Sequence, residues 1–406
     1  MNWRSYQKNH LRSLRRRFRH ASLPYILLST IAVLGFFLYA AVNRTGRARG
    51  HPPVSVQRQP ASGMTAATVV SPPAGEGQSV IMGPHGRGLP KNIITRWIDH
   101  MMDRYEVKYG AVVAIDVKTC RTLAVVSRGA GFSAFDAYPA ASLVKLVTAS
   151  AAIEMHHIPP YASFSYDSRN ASQSVKALTN GYNDGRKHIT FSMALAKSNN
   201  PVFGKLALYK IGNSSLQTYF DRFYFNREVG PAFIMKSSAA VDDDAVDIAQ
   251  TGAGLNPDIT LSPFHAALIV QAIADRGRMC VPYEGFGNSR QGYTQVVSPQ
   301  TAKELLGMMR LTIVKGTSRG AFFNRRGRYI LAGISVAGKT GSIHGSDPDG
   351  DYEWFVGIAP VDDPEIAVAA VVVNGRKWTI KGSYLGAQTL LAYFFPGAVK
   401  KLLHIR

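Results

Sequence analysis

From Leu23 to Val42 the chain reads LPYILLSTIAVLGFFLYAAV, twenty residues without a charged side chain. As a helix rising about 1.5 Å per residue, such a run is roughly 30 Å long, the thickness of a hydrocarbon core. Tyr25 and Tyr39 fall near its ends, where rings with a polar tip favour the membrane interface. Seven basic residues and no acidic one precede it in residues 1–22. This pattern predicts a cytoplasmic basic tail over 1–22, one transmembrane anchor over 23–42 and an exported body. A cleaved signal peptide competes with that reading. The long leader, the length of the apolar run and the lack of an A-x-A site favour the anchor.

Residues 43–90 hold fifteen Gly or Pro in 48 positions and no Phe, Trp or Tyr. They cannot bury enough apolar area to offset ordering, which predicts a flexible linker. The formal charge of +21 over 406 residues is therefore uneven: seven charges sit in the tail, a net four in the linker and ten in 91–406. Half the surplus lies outside the body, which argues against a nucleic-acid partner. Two cysteines exclude a disulfide-framework scaffold, and no zinc-ligand spacing is present. No metal or cofactor is expected.

Ile93, Ile94, Trp97, Ile98, Met101, Met102 and Tyr105 recur at helical spacing, predicting a helix over 92–106. Gly110–Val117 and Arg121–Ser127 read as strands joined by a turn at Lys118–Cys120. From Ser142 to about residue 310 the spacing is mostly helical. Strands are expected at Ile330–Val336, Tyr352–Ile358 and Ile366–Val373, and a last helix at Tyr384–Phe395. The fold class is thus α+β: a five-stranded antiparallel sheet flanked by N- and C-terminal helices, with a large helical subdomain inserted.

Three short patterns follow one another. Ser142-Leu143-Val144-Lys145 opens an apolar helix, Ser198-Asn199-Asn200 sits in ALAKSNNPVF, and Lys339-Thr340-Gly341-Ser342 is placed in a strand. S-x-x-K and S-x-N each arise about once by chance in a chain this long, and K-T-G about one time in ten. Their conjunction, in order, carries the signal. Ser and Lys three apart on a helix share a face, so an amine can reach the hydroxyl. A serine hydroxyl is a weak nucleophile without an adjacent base, and a lysine serves only when desolvation and a second cation lower its pKa. Leu143, Val144, Leu146 and Val147 offer the apolar surroundings and Lys339 the cation.

The set resembles the signature of penicillin-binding proteins and serine β-lactamases. GAVVAIDVKTCRTLAVVS, TGAGLNPDITLSPFHAALIVQAIAD and GKTGSIHGSDPDGDYEWFVGIAPVDDPEIAVAAVVV extend the resemblance to a transpeptidase domain over 91–406. It implies a peptidoglycan D,D-transpeptidase in which Ser142 attacks the penultimate D-Ala carbonyl of a stem peptide and Lys145 is the general base. Ser198 would relay a proton to the leaving amine, assisted by Lys145, and Asn200 would bond the donor amide. Lys339, Thr340 and Ser342 would hold the terminal carboxylate. The N–H groups of Ser142 and Ser342 would form the oxyanion hole, and Gly341 would allow close approach of substrate. β-Lactams would be covalent inhibitors, cell-wall synthesis complexes the setting, and the inner membrane with a periplasmic catalytic domain the location.

Alternatives on the same scaffold are a D,D-carboxypeptidase, a β-lactamase, or a non-catalytic wall-binding protein. A deacylating E-x-x-x-N element has one literal match, Glu284 to Asn288, in a Gly-rich turn that does not suit the role. Neither a glycosyltransferase domain nor a large pedestal is expected. Cys120 stands where the family commonly has Gly, and Ser342 where it often has Thr. Whether Cys120 and Cys280 pair depends on a proximity that sequence does not show. Asp347, Asp349 and Asp351 read as a solvated hairpin turn, Asp242–Asp244 as a helix cap, His156-His157 as a helix end, and Arg325, Arg326 and Arg328 as an exposed basic loop.

Overall fold

The runs GAVVAIDV and IAVAAVVV lack the in–out alternation of a strand with one wet face, and the reason is that both faces of their strands are covered. Ala111, Val113 and Ile115 point into one core and Val112 and Ala114 into the other; Ala367, Ala369 and Val371 oppose Val368, Ala370 and Val372 in the same way. The computed structural model describes residues 92–404 except 168–172, 183–184, 228–235 and 282–291. The tail 1–22, the anchor 23–42, the linker 43–90 and Glu284–Asn288 lie outside the described residues. Among those described, no helix is long and apolar enough to cross a membrane.

The central antiparallel sheet contains β1 (Tyr109–Asp116) and β2 (Thr122–Arg128) from the start of the domain. Three two-stranded ribbons follow within the helical subdomain: β3 (Tyr138–Pro139) pairs with β6 (Thr260–Leu261), β4 (Ser163–Tyr166) with β5 (Lys187–Thr190), and β7 (Arg278–Val281) with β8 (Gly292–Gln295). The sheet is completed by β9 (Ala337–Ser346), β10 (Asp349–Ala359) and β11 (Ile366–Asn374), in the order β2-β1-β11-β10-β9. This is the expected five-stranded α+β architecture, and it leaves β9 as an edge strand facing the helical subdomain.

One face of the sheet is covered by the N-terminal helix Ile93–Arg104, through Ile94, Trp97, Ile98, Met101 and Met102, and by the C-terminal helix Gly382–Phe394. Asn92 caps the first helix by accepting from the N–H groups of Ile94 and Thr95. Trp97 Nε1 donates to Gln388 Oε1 at 3.1 Å and ties the two helices together. The other face packs on the fully buried helix Pro263–Ala274 and, beyond it, the helix Lys145–His156.

Three expectations need correction. Ile330–Val336 is not a strand. Leu331 and Val336 are buried under the C-terminal helix, but the chain turns at Gly333 (φ +83°), and the strand starts at Ala337. Apolar β-branched content marked burial there, not extension. The helix Gly382–Phe394 does not close the chain, because Pro396 restarts a short helix, Pro396–Leu402. The ribbons inside the helical region carried too few residues each to show a period.

Cys120 and Cys280 are joined as a disulfide, Cα atoms 6.2 Å apart. Asp116 shapes the β1–β2 turn by accepting from the N–H groups of Lys118 and Thr119. Cys120 then adopts φ +58°, the left-handed region in which glycine is the easier residue. His156 ends its helix with His157 as the left-handed cap, and Asp244 caps Ala245–Gly252. Arg325, Arg326 and Arg328 are exposed in a turn held by Asn324 Oδ1.

Candidate active site

Four segments converge on Ser142. The first is its own turn. Trp354 Nε1 donates to the Pro139 carbonyl (3.0 Å), and the Ala140 N–H to the Ile259 carbonyl (2.9 Å). Ala141 then turns through φ +52°, a region costly for a residue with a Cβ and common where structure over-determines a functional loop. A single 3₁₀ turn, Ala141–Val144, leads into the helix Lys145–His156. Ser142 is 8% exposed and Lys145 fully buried.

The second segment is the loop that presents Ser198. The helix Phe191–Ala196 stops, Ser198 takes φ +54°, and Asn199 caps the next helix, Asn200–Leu206, by accepting from Val202. The third is Thr251–Gly254, at the end of Ala245–Gly252. A Cβ on Gly254 (φ +62°) would sit 2.2 Å from the Ala141 carbonyl oxygen, so glycine alone permits this contact. Gly252 carries its carbonyl to Thr148 Oγ1 at 3.0 Å. The fourth is β9, paired with β10 so that Lys339 faces Val356, Thr340 Phe355, Gly341 Trp354 and Ser342 Glu353.

Lys145 Nζ lies 2.8 Å from Ser142 Oγ, 2.8 Å from Asn200 Oδ1 and 2.5 Å from the Ala253 carbonyl oxygen. Burial holds this amine well below the ordinary ammonium range, and the charge of Lys339 lowers it further. A neutral amine has two hydrogens and one lone pair. The Asn200 and Ala253 oxygens can only accept, so they take both hydrogens and leave the lone pair aimed at the Ser142 hydroxyl. That arrangement can remove the serine proton.

Lys339 is also fully buried, which brings its pKa down to about 7. It donates to Ser198 Oγ (2.9 Å) and to the Thr340 carbonyl (2.6 Å). Ser198 is thus held by Lys339, whereas the three hydrogen bonds of Lys145 go to Ser142, Asn200 and Ala253. A Cβ on Gly341 would lie 3.0 Å from Ala141 Cβ and 3.2 Å from the Ser142 nitrogen. The glycine therefore admits the turn that carries Ser142 itself against the strand. Ser342 Oγ donates to Glu353 Oε1 at 2.7 Å.

All eight residues singled out in the sequence are gathered here. Three further groups were not. Ala253 acts through its backbone, and its only sequence trace is the pair of glycines flanking it. Thr317 Oγ1 meets Thr340 Oγ1 at 2.5 Å, and the Thr317 N–H donates to the Ala196 carbonyl, linking β9 to the Ser198 loop. Glu353 sits inside an apolar strand, and only its cross-strand register reveals its partner. A separate cleft at the far end of the helix Lys145–His156 holds Glu154, whose carboxylate is already engaged by Tyr219 and Arg222.

A family model for the penicillin-binding protein transpeptidase domain matches residues 110–390, a stretch that includes every one of these groups. The chain belongs to that family. Peptidoglycan D,D-transpeptidase PbpA of Mycolicibacterium smegmatis is 27% identical over 259 residues, covering 59% of this chain and 50% of the relative. Stage V sporulation protein D of Bacillus subtilis is 24% identical over 264 residues, covering 60% of this chain and 39% of the relative. The chain therefore spans about half the length, or less, of these curated relatives. Among solved structures, PBPA from Mycobacterium tuberculosis superposes with a TM-score of 0.61 at 21% identity, over 74% of this chain and 80% of that one. Its ceftriaxone acyl-enzyme complex gives 0.60 at 21% identity, over 74% and 78%. These structures share the transpeptidase fold described above.

Proposed function

We propose that this chain is a membrane-anchored peptidoglycan D,D-transpeptidase that cross-links stem peptides through an acyl-enzyme on Ser142. The observation that carries the reading is the 2.8 Å approach of Lys145 Nζ to Ser142 Oγ, with both amine hydrogens committed to oxygens that cannot donate. Ser142 Oγ adds to the penultimate D-Ala carbonyl while its proton passes to Lys145. The N–H groups of Ser142 and Ser342 hold the oxyanion, where one donor is typically worth about 3 kcal/mol. Collapse breaks the peptide C–N bond; Ser198, held by Lys339, passes its proton to the departing D-Ala amine, and the proton taken up by Lys145 replaces it. Asn200 also bonds the donor amide, and Lys339, Thr340 and Ser342 grip the terminal carboxylate. An acceptor amine then takes the acyl group and frees Ser142. β-Lactams acylate the same oxygen; penicillin-binding protein A of M. tuberculosis forms an acyl-enzyme complex with ceftriaxone.

We place the catalytic domain at 91–406, the anchor at 23–42 between a cytoplasmic tail (1–22) and a linker (43–90), and the site on the periplasmic side of the inner membrane, within a wall-synthesis complex. The sequence pattern supports this arrangement. Mass spectrometry after incubation with a D-Ala-D-Ala pentapeptide tests the activity. An acceptor-linked dimer with release of D-Ala is the expected product. Release of D-Ala with tetrapeptide only, acceptor present, marks a carboxypeptidase, and no product together with no penicillin labelling marks a non-catalytic wall-binding protein.

A further inference from the structure

A carboxylate in the middle of an apolar strand, behind a hydroxyl that has to meet another carboxylate, calls for an electrostatic account. Glu353 lies on β10 directly across from Ser342 on β9 and is 7% exposed, while Ser342 is open to solvent. The Ser342 hydroxyl gives its hydrogen to Glu353 Oε1 at 2.7 Å. A hydroxyl has one hydrogen and two lone pairs, and an ionised carboxylate only accepts. In this state Ser342 shows an incoming carboxylate lone pairs alone, with a second negative charge behind them.

Protonating Glu353 reverses the pair. Its O–H donates to Ser342 Oγ, and the serine hydrogen turns outward. We propose that Glu353 is a positioning residue for carboxylate recognition: it sets the direction of the Ser342 hydroxyl, so that a carboxylate-bearing donor or β-lactam is gripped by that hydroxyl only when Glu353 carries a proton. Binding then takes up one proton from water. The inference rests on the reading above that β9 holds the donor carboxylate.

Burial biases this carboxyl toward its protonated form. Burial raises the Glu353 pKa above the ordinary carboxylate range. The charged groups facing it are Asp351 on its own strand, which raises it further, and Lys381, which lowers it; the Ser342 hydrogen bond also lowers it. From β11 the partner is Val372, uncharged, and on β9 His344 is engaged by Asp349 and Asp351. The segment carrying Lys381 packs on this strand, because a Cβ on Gly382 would lie 2.2 Å from the Glu353 carbonyl oxygen. A bound carboxylate is a further like charge that draws a proton onto Glu353.

The test is the rate at which a fluorescent penicillin with a free ring carboxylate labels the purified full-length chain, compared between wild type and Glu353→Gln from about pH 5 to about pH 8. The amide donates to Ser342 at every pH and so imitates the protonated acid. Lys145 and Lys339 titrate in both proteins and cancel in the ratio. The ratio of variant to wild type should rise with pH, toward about tenfold at the alkaline end. A ratio independent of pH overturns the inference while leaving the acyl-enzyme reading intact. Should the glutamine variant not fold, Ser342→Ala serves: wild type should outpace it at the acid end and converge with it as pH rises, and a constant ratio overturns the inference. Wild type that stays unlabelled at every pH removes the acyl-enzyme reading and this inference with it.

Discussion

The Ala253 carbonyl oxygen lies 2.5 Å from Lys145 Nζ, across 108 residues of sequence. With Asn200 Oδ1 it fixes where both hydrogens of a neutral amine go, and therefore where the lone pair points. The pair Ser142–Lys145 is local in sequence, yet its orientation is set by two distant segments.

If Lys145 acts as the proposed base through its lone pair, Lys145→Ala should slow labelling by a β-lactam about 10²–10⁴-fold. Lys145→Arg should be nearly as damaging, because a guanidinium keeps its proton in any protein setting. Time courses with fluorescent penicillin report both rates. An arginine variant labelling near the wild-type rate would contradict the base role.

Gly254→Ala forces a Cβ to within 2.2 Å of the Ala141 carbonyl, at a backbone angle that alanine avoids. A loss of about 2–4 kcal/mol in urea unfolding is expected. Because Ala141 precedes Ser142, the proposed nucleophile, the fraction that still folds should also label more slowly.

Much of this was legible beforehand. The S-x-x-K, S-x-N and K-T-G residues, the first hairpin and the covered strands all announced themselves through side-chain type and spacing. The rest was hidden for three physical reasons. Ala253 contributes a backbone oxygen, which any residue has. Glu353 and Thr317 matter through register and loop packing, which become visible only once strands and segments are paired. Ile330–Val336 is rich in strand formers yet buries them in a turn, since burial and extension share the same composition.

His265 is fully buried beside Phe225; one ring nitrogen meets the Phe223 carbonyl at 2.7 Å, and Nδ1 has no partner among the described residues. Burial lowers its pKa to about 4, below the unfolded value of about 6.5. As pH falls the unfolded chain takes the proton first. This contribution to stability is therefore complete above about pH 6.5 and declines toward pH 4, by about 3 kcal/mol. His265→Gln should lose less stability than wild type between these pH values in chemical denaturation. Equal losses would contradict the assignment.

The disulfide Cys120–Cys280 closes a loop of 160 residues that contains Ser142, Lys145, Ser198 and Asn200. Reduction should destabilise the domain by about 2–5 kcal/mol and lower its melting temperature. Cys280→Ala should show a similar loss and no further response to reductant. A melting temperature unchanged by reductant in wild type would show that the bridge does not support the fold.

On the proposed mechanism Ser142, activated by Lys145, is the acylated nucleophile. Intact-protein mass spectrometry after exposure to a penicillin, followed by peptide mapping, tests it most directly. One adduct per chain on the peptide bearing Ser142, absent from a folded Ser142→Ala variant, is the predicted result. An adduct that persists in that variant, or that maps to another residue, would contradict the account.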